Sequence, residues 1–484
     1  MFSNYRIIPS ACLTVMVMAF SLQAPAASDE SVLENGEVRD AIALFDAWLE
    51  LRVEREELPS VAVGVVLGES LLWSKAYGYA DLASRRPATT ETAYRVASIT
   101  KLFTSTAIMQ LRDAGKLRLD EPVADYVDWF RLDDRHAETG SVTIRQLMTH
   151  SSGLARELEG QYWDGGKLLE RDEFIARFQE TPSAKGREET YKYSNVAFAI
   201  LGSVIESASG ESYDDYITGH ILKPLGMSGT QIRPASDMAT LATGYEFRVV
   251  GQPRAAAPFT DSKAFAAAAN MATPVVDLAR FVSSQFETTP EAGRVLAPLT
   301  LRETHRVHWL ADDWAFGLGL SWFVTRKDNR TVISHGGSVP GFRTRVMAAP
   351  ADEFGLIVLT NSGDSDVGKL SNQAWTMLAS AVIGAAKKDE SKAEPDSSWT
   401  SLVGRYRGFD GEVLRVMVIA DELALVNPGQ DDPLDGRIRL EHVEDQTYMM
   451  LDKWQAGEPI RFEVDDEGRA VRIVMPGYSL DRLD

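Results

Sequence analysis

In residues 38–53 apolar positions return every three to four steps, with Ile42, Phe45, Trp48 and Leu49 beside Leu44 and Leu51, and this period predicts an amphipathic helix. The rhythm then changes. Residues 60–66 and 71–77 are short runs of β-forming residues separated by Gly68-Glu69, which reads as a hairpin. From Ser98 to about Leu301 the signals are mostly helices and loops; strand character returns at 320–325, 331–334, 342–348 and 354–359, and an apolar helix is expected over 373–386. Strands on both sides of a helical insertion predict one α/β domain with two lobes. Their short connections call for a mainly antiparallel sheet, because parallel neighbours need long crossovers.

Residues 387–397 are charged, contain a proline and show no apolar period, as expected of a linker. Beyond them, 398–484 carry seven short β-rich runs (402–406, 413–419, 423–426, 438–440, 447–451, 460–464 and 471–475), with turn signals at Asp410-Gly411, Asp435-Gly436 and Glu467-Gly468. Such spacing favours a small barrel or sandwich. At the other end, Arg6 precedes an uncharged stretch, 7–22, and then Ala24-Pro25-Ala26, the small-x-small pattern of a signal-peptidase site. Residues 1–27 therefore read as an export signal, since the strongly apolar part, 13–22, is shorter than the roughly 20 residues that cross a bilayer. The organisation expected is signal (1–27), two-lobed α/β domain (28–386), linker (387–397) and barrel (398–484), in a periplasmic or secreted protein with no stable membrane anchor after cleavage. Cys12, the single cysteine, would leave with the signal, so neither disulfide nor thiol chemistry is expected.

Charge removes one class of partner. The 484 residues hold 70 Asp+Glu against 50 Lys+Arg, a net charge of −20, whereas nucleic-acid affinity needs clustered cations. Seven histidines are scattered at 136, 150, 220, 305, 308, 335 and 442 without H-E-x-x-H spacing, so no metal is expected, and His305 and His308 read as surface residues on one helical face. A G-x-S-x-G elbow is absent.

Three segments carry candidate chemistry. Ser98 is the only serine with a lysine three positions later, Lys101, and the apolar residues that follow (Leu102, Phe103, Ala107, Ile108, Met109, Leu111) place that lysine against a core. Burial lowers an amine's pKa from about 10.4, which suits a base that takes a serine proton. Tyr193-Ser194-Asn195 follows a polar loop and offers a phenol beside an amide. His335-Gly336-Gly337-Ser338 follows a predicted strand, where glycines allow the backbone to approach a substrate closely.

In this order, S-x-x-K, Y-x-N and H-x-G, the sequence resembles the serine β-lactamase-like and penicillin-binding superfamily, in the branch of class C β-lactamases, D-Ala-D-Ala carboxypeptidases, D-aminopeptidases and related esterases. The stretch Leu147-Met148-Thr149-His150-Ser151-Ser152-Gly153-Leu154 and the run from Gly336 to Arg343 add to the resemblance, which spans about residues 36–385. It implies a two-lobed fold and an acyl-enzyme mechanism without a cofactor. Ser98 would attack an amide or ester carbonyl, Lys101 and Tyr193 would exchange its proton, and Asn195 would orient substrate and lysine. Backbone N–H groups of Ser98 and Ser338 would form the oxyanion hole. His335, Gly336 and Gly337 stand where many relatives carry K-T-G, which leans towards a D-aminopeptidase-like peptidase or an esterase acting on small substrates. A β-lactamase, a D-Ala-D-Ala carboxypeptidase, a transacylase and a non-catalytic sensor remain as alternatives. Arg343 or Arg345 would supply the missing carboxylate contact, and 267–277 lacks the usual Gly-Gly of that rim. The last 87 residues resemble a lipocalin-like module, which would narrow access to the site.

Overall fold

The computed structural model describes residues 29–163, 168–390, 397–419, 422–429 and 436–483. The signal read at 1–27 lies outside the described residues, as do 391–396 of the expected linker and Asp435 of the second turn signal. The described chain divides into two compact units that meet in sequence at Ala385 and Ala386.

In the first unit the strand Ser60–Leu67 is buried along almost its whole length and takes two antiparallel partners. One is Ser70–Asp81, through the turn at Gly68; the other is Phe354–Thr360, nearly 300 residues away in sequence. A strand buried on both faces reads as a continuous apolar run, and Val61, Ala62, Val63, Val65 and Val66 supply it. The sheet has nine strands in the order Arg86–Pro87, Ser70–Asp81, Ser60–Leu67, Phe354–Thr360, Phe342–Ala349, Arg330–Val339, Phe323–Lys327, Gly317–Leu318 and Trp309–Leu310, every neighbouring pair antiparallel. The two-lobed α/β fold with an antiparallel sheet is thus present, and the helical lobe is the insertion between the two groups of strands.

Local departures have local causes. The strand expected at 320–325 begins only at Phe323, because Ser321 has a left-handed φ of 78° that interrupts pairing. The strand expected to stop at Ser334 continues to Val339, so the glycines after it are strand residues and not a bulge. The last helix of the unit spans Val367–Glu390, starting earlier than its apolar stripe and running into the segment read as linker.

The helix Thr100–Asp113 is buried on nearly every side and packs against the helix Asn195–Ser209 and the short helix Ala266–Ala269. Phe103 stacks on Phe281 of the helix Val275–Ser283, ring centres 3.9 Å apart. At about 1.5–3 kcal/mol per large apolar side chain removed from water, this packing fixes the helix that begins beside Ser98.

The second unit is a closed barrel of eight antiparallel strands: Gly404–Gly408, Val413–Ile419, Glu422–Val426, Ile438–Glu444, Thr447–Met450, Pro459–Val464, Ala470–Met475 and Tyr478–Arg482. It has its own core, including Tyr406, Leu423, Leu440, Tyr448, Phe462 and Ile473. Sequence pattern finds seven of these strands. The eighth, YSLDR, buries only Leu480 and shows no apolar run, yet it closes the ring through Tyr406 opposite Arg482 and Gly408 opposite Leu480. Among the described residues no helix is long and apolar enough to cross a membrane.

Candidate active site

Ser98 sits in a single 3-10 turn, Ala97–Ile99, that feeds directly into the buried helix. Ala97 adopts φ +49°, a left-handed conformation that costs a residue with a Cβ on the order of 1 kcal/mol and needs support from its surroundings. Val96 supplies it through both of its backbone polar groups. The Val96 amide donates to Met271 O at 3.0 Å, and Val96 O accepts from Thr344 Oγ1 at 3.1 Å. The strand carrying Gly337 presses against this turn so closely that a Cβ there would lie 2.1 Å from Val96 O. Glycine is needed at 337 for the approach of one backbone to another, where the sequence reading had put the approach of backbone to substrate.

Lys101 is fully buried, and its Nζ donates to Ser98 Oγ at 3.2 Å, Asn195 Oδ1 at 2.7 Å and Ala268 O at 2.8 Å. The alanine segment whose rim shape the sequence left open is therefore a wall of the lysine pocket. Rings of Tyr193 and Phe198 lie 5.1 and 5.4 Å from Nζ. Loss of hydration in this pocket pushes the ammonium well below its ordinary value. An amine that gives up its proton this readily can, once deprotonated, take the proton of the hydroxyl beside it.

Tyr193 and Asn195 flank Ser194, and Ser194 is the N-cap of the helix Asn195–Ser209. Its Oγ accepts from the Ala197 amide at 3.0 Å and donates to Ala155 O at 2.7 Å. The Y-x-N spacing thus has a physical origin: the middle residue ends one segment and starts a helix, while the outer two face the same pocket. His150 holds this turn from the segment Leu147–Leu154. Its Nδ1 accepts from the Ser194 amide at 3.1 Å, and its ring lies 4.2 Å from that of Tyr193. Burial pushes the Tyr193 phenol up to about 12, and the nearby Ser98 hydroxyl offsets only part of that rise.

Opposite Ser98, the strand Arg330–Val339 has a half-open edge. Phe323–Lys327 pairs with it only as far as Ser334, so His335–Val339 keep one strand neighbour, Phe342–Ala349, and border the cleft with the other side. His335 Nδ1 lies 2.7 Å from Gly336 O; a carbonyl only accepts, so this nitrogen carries the proton. Burial, reinforced by Lys101, pushes its pKa down to about 3, and the ring is neutral. Arg343 and Arg345 stand on the adjoining strand. That strand is paired on both sides, so these side chains are not a solvated edge. Burial lowers both guanidinium pKa values; Arg343 Nη1 donates to Val339 O and Phe342 O, while Arg345 Nε is buried without a partner.

Ser98, Tyr193, Asn195, His335, Gly336, Gly337, Ser338 and Arg343 all line one cleft of about 990 Å³, and Lys101 lies beneath Ser98. The S-x-x-K, Y-x-N and H-x-G segments, spread over 240 residues, meet at one place. A family model described as Beta-lactamase matches residues 45–379, more than two thirds of the sequence.

The chain belongs to the beta-lactamase family. Its curated relatives include Protein flp of Staphylococcus aureus (strain MW2), 25% identical over 346 residues, covering 70% of this chain and 67% of the relative. Penicillin-binding protein 4 of Amycolatopsis lactamdurans is 28% identical over 340 residues, 66% of this chain and 84% of the relative. Among solved structures, the octameric penicillin-binding protein homologue from Pyrococcus abyssi superposes with a TM-score of 0.62 at 23% identity, covering 91% of this chain and 99% of that one. A class C beta-lactamase gives 0.60 at 20% identity, covering 71% and 98%. These structural likenesses concern the fold. The beta-lactamase family is one of serine hydrolases working through an acyl-enzyme, and this chain is a member of it.

Beyond the motif residues, the cleft of this beta-lactamase family member includes Arg156, Glu157 and Tyr191, together with Phe247 and Val249. Arg156 and Glu157 follow the stretch Leu147–Leu154 after a single residue, Ala155, and this proximity is the signal that would have found them. Phe247 and Val249 lie in an irregular loop whose sequence has no period to read. His305 and His308 are not free surface residues: the helix ends at His305, which is half-buried with its ring against Trp322 and Nε2 3.3 Å from Gln285 Oε1. His308 is held between Arg145 and Glu303 O.

Proposed function

We propose that the protein is an exported serine hydrolase that cleaves amide or ester bonds of small peptides or esters through an acyl-enzyme on Ser98. The observation carrying this reading is the buried Lys101 amine 3.2 Å from Ser98 Oγ, beside Tyr193, at the floor of an open cleft. Ser98 Oγ forms a bond to the substrate carbonyl carbon while its proton passes to Lys101 and Tyr193. Tyr193 protonates the leaving amine or alcohol, the C–N or C–O bond breaks, and water then releases the acid by the reverse path. Amides of Ser98 and Ser338 serve the oxyanion, and the open edge from His335 receives the substrate backbone. Export rests on the sequence of residues 1–27.

A neutral His335 supplies no fixed cation where K-T-G relatives have one, which favours a D-aminopeptidase-like peptidase or an esterase over β-lactam hydrolysis. Arg343 and Arg345 offer guanidinium donors for a carboxylate on the substrate. Treating the full chain with a fluorophosphonate and locating the adduct by mass spectrometry tests the chemistry. Modification of Ser98 is expected, and an unlabelled Ser98 in folded protein rejects it in favour of a non-catalytic binding protein. Rates on p-nitrophenyl esters, D-amino-acid amides and nitrocefin then separate esterase, peptidase and β-lactamase.

A further inference from the structure

Glu157 stands on the cleft wall outside the S-x-x-K, Y-x-N and H-x-G set, and both of its carboxylate oxygens are engaged. Gln161 Nε2 donates to Oε2 at 2.8 Å, and Asn195 Nδ2 donates to Oε1 at 2.5 Å. The nearest guanidinium nitrogen, Arg156 Nε, is 3.7 Å away, too far for a hydrogen bond. The backbone repeats the connection, since Arg156 O accepts from the amides of Asn195 at 3.0 Å and Val196 at 3.4 Å. Residues 156 and 157 therefore hold both the main chain and the side chain at the start of the Asn195 helix.

The chemistry of an amide gives this arrangement a direction. Asn195 has one acceptor oxygen and one donor nitrogen, and the side chain can be turned either way in its pocket. A carboxylate only accepts, so Glu157 requires Nδ2 on its own side and thereby turns Oδ1 towards Lys101 Nζ, 2.7 Å away. We propose that Glu157 is a positioning residue, which through Asn195 fixes the Lys101 amine against Ser98. The inference rests on the acyl-enzyme reading of Ser98.

The electrostatics agree with the geometry. The charged and titratable groups facing Lys101 are Glu157, Arg156, Tyr193, His150 and His335. The two histidines and the phenol are neutral at pH 7, because burial depresses the former and raises the latter. That leaves one negative and one positive neighbour. Glu157 raises the lysine value and Arg156, whose guanidinium lies 5.1 Å from the centre of the Tyr193 ring, lowers it. Removing each should shift the titration in opposite senses, which a purely structural role would not do.

The test is the rate of fluorophosphonate modification of Ser98 in the full chain as a function of pH, for the wild type, Glu157→Gln and Arg156→Gln. Glutamine can donate as well as accept, so Glu157→Gln frees the Asn195 amide to turn; its plateau rate should fall about tenfold, the scale of one charge-assisted hydrogen bond. Its acid limb should move to lower pH by roughly half a unit, because a carboxylate that favoured the ammonium is gone. In Arg156→Gln the limb should move to higher pH. A Glu157→Gln protein whose limb coincides with the wild type overturns the inference, whether or not the plateau falls. If that variant does not fold, an unmoved limb in Arg156→Gln overturns it instead. A wild type that is not labelled overturns this inference and the acyl-enzyme reading together, whereas labelling with coincident profiles removes this inference alone.

Discussion

Lys101 shows how a single side chain can be readable in type and spacing while its function depends on its surroundings. The S-x-x-K spacing is a local property, and the apolar residues after it indicate burial. The three acceptors that receive its hydrogen bonds come from positions 98, 195 and 268, and only packing assembles them. Lys101→Met should lower the rate of Ser98 labelling at least about 1000-fold, at the upper range for loss of a general base, with the fold kept because the methionine suits the aromatic pocket. Activity and circular dichroism of the purified variant check both halves. Gly337 is the opposite case: its type is visible in the sequence, its reason is not. Gly337→Ala would drive a methyl group into Val96 O and Thr344 Oγ1, and a loss of roughly 1–3 kcal/mol in urea unfolding is expected. An unchanged midpoint would mean that the strand and the turn at Val96 can separate without cost.

At the scale of elements, the site depends on where helices and strands begin and end. Tyr193-Ser194-Asn195 is legible as a polar cluster, but the sequence alone did not say that Ser194 starts a helix whose first residue is Asn195. Ser194→Ala removes the cap and should cost about 1 kcal/mol of stability. Because Tyr193 and Asn195 move with that cap, labelling of Ser98 should fall more than ordinary destabilisation explains; a stability loss with an unchanged labelling rate would contradict this. Sequence pattern ends the strand Arg330–Val339 at Ser334, five residues short of its last pair, because glycines lower strand propensity, and register with Phe342–Ala349 overrides that preference. The eighth barrel strand was missed for a related reason: closure of the ring supplies hydrogen bonds that a sequence with one inward apolar residue does not advertise.

Across the whole molecule, three histidines of the first unit are held neutral, His150 and His335 buried and His305 half-buried against Trp322. Burial lowers His150 well below its ordinary value and takes His305 and His335 to about 3. The unfolded chain accepts these protons near pH 6.5 and the folded chain does not, so the unfolded state binds more protons between those values. Stability contributed by the neutral rings is complete above about pH 6.5 and is lost progressively as pH falls towards about 3, at a slope of about 1 kcal/mol per pH unit for each ring. Urea midpoints measured at pH 7.5 and pH 5 should therefore drop markedly, and equal midpoints would contradict the burial argument. The two units have separate cores, and the barrel, with 18 acidic against 10 basic residues from 401 on, gathers much of the negative charge. A protein ending at Glu390 should still fold and label Ser98 within about twofold of the full-length rate; loss of labelling would show that the cores depend on each other.

By itself the sequence determined the alternation of elements, the acidic balance, and the identities and order of Ser98, Lys101, Tyr193, Asn195 and His335, because these are set by residue type, spacing and periodicity. The tertiary structure decided which groups meet. Backbone pairing over nearly 300 residues joins Ser60–Leu67 to Phe354–Thr360, a left-handed Ala97 presents Ser98, and a carboxylate at 157 orients an amide at 195. Such relations depend on long-range packing and on which buried polar atom satisfies which other, and a local pattern along the chain carries no record of either.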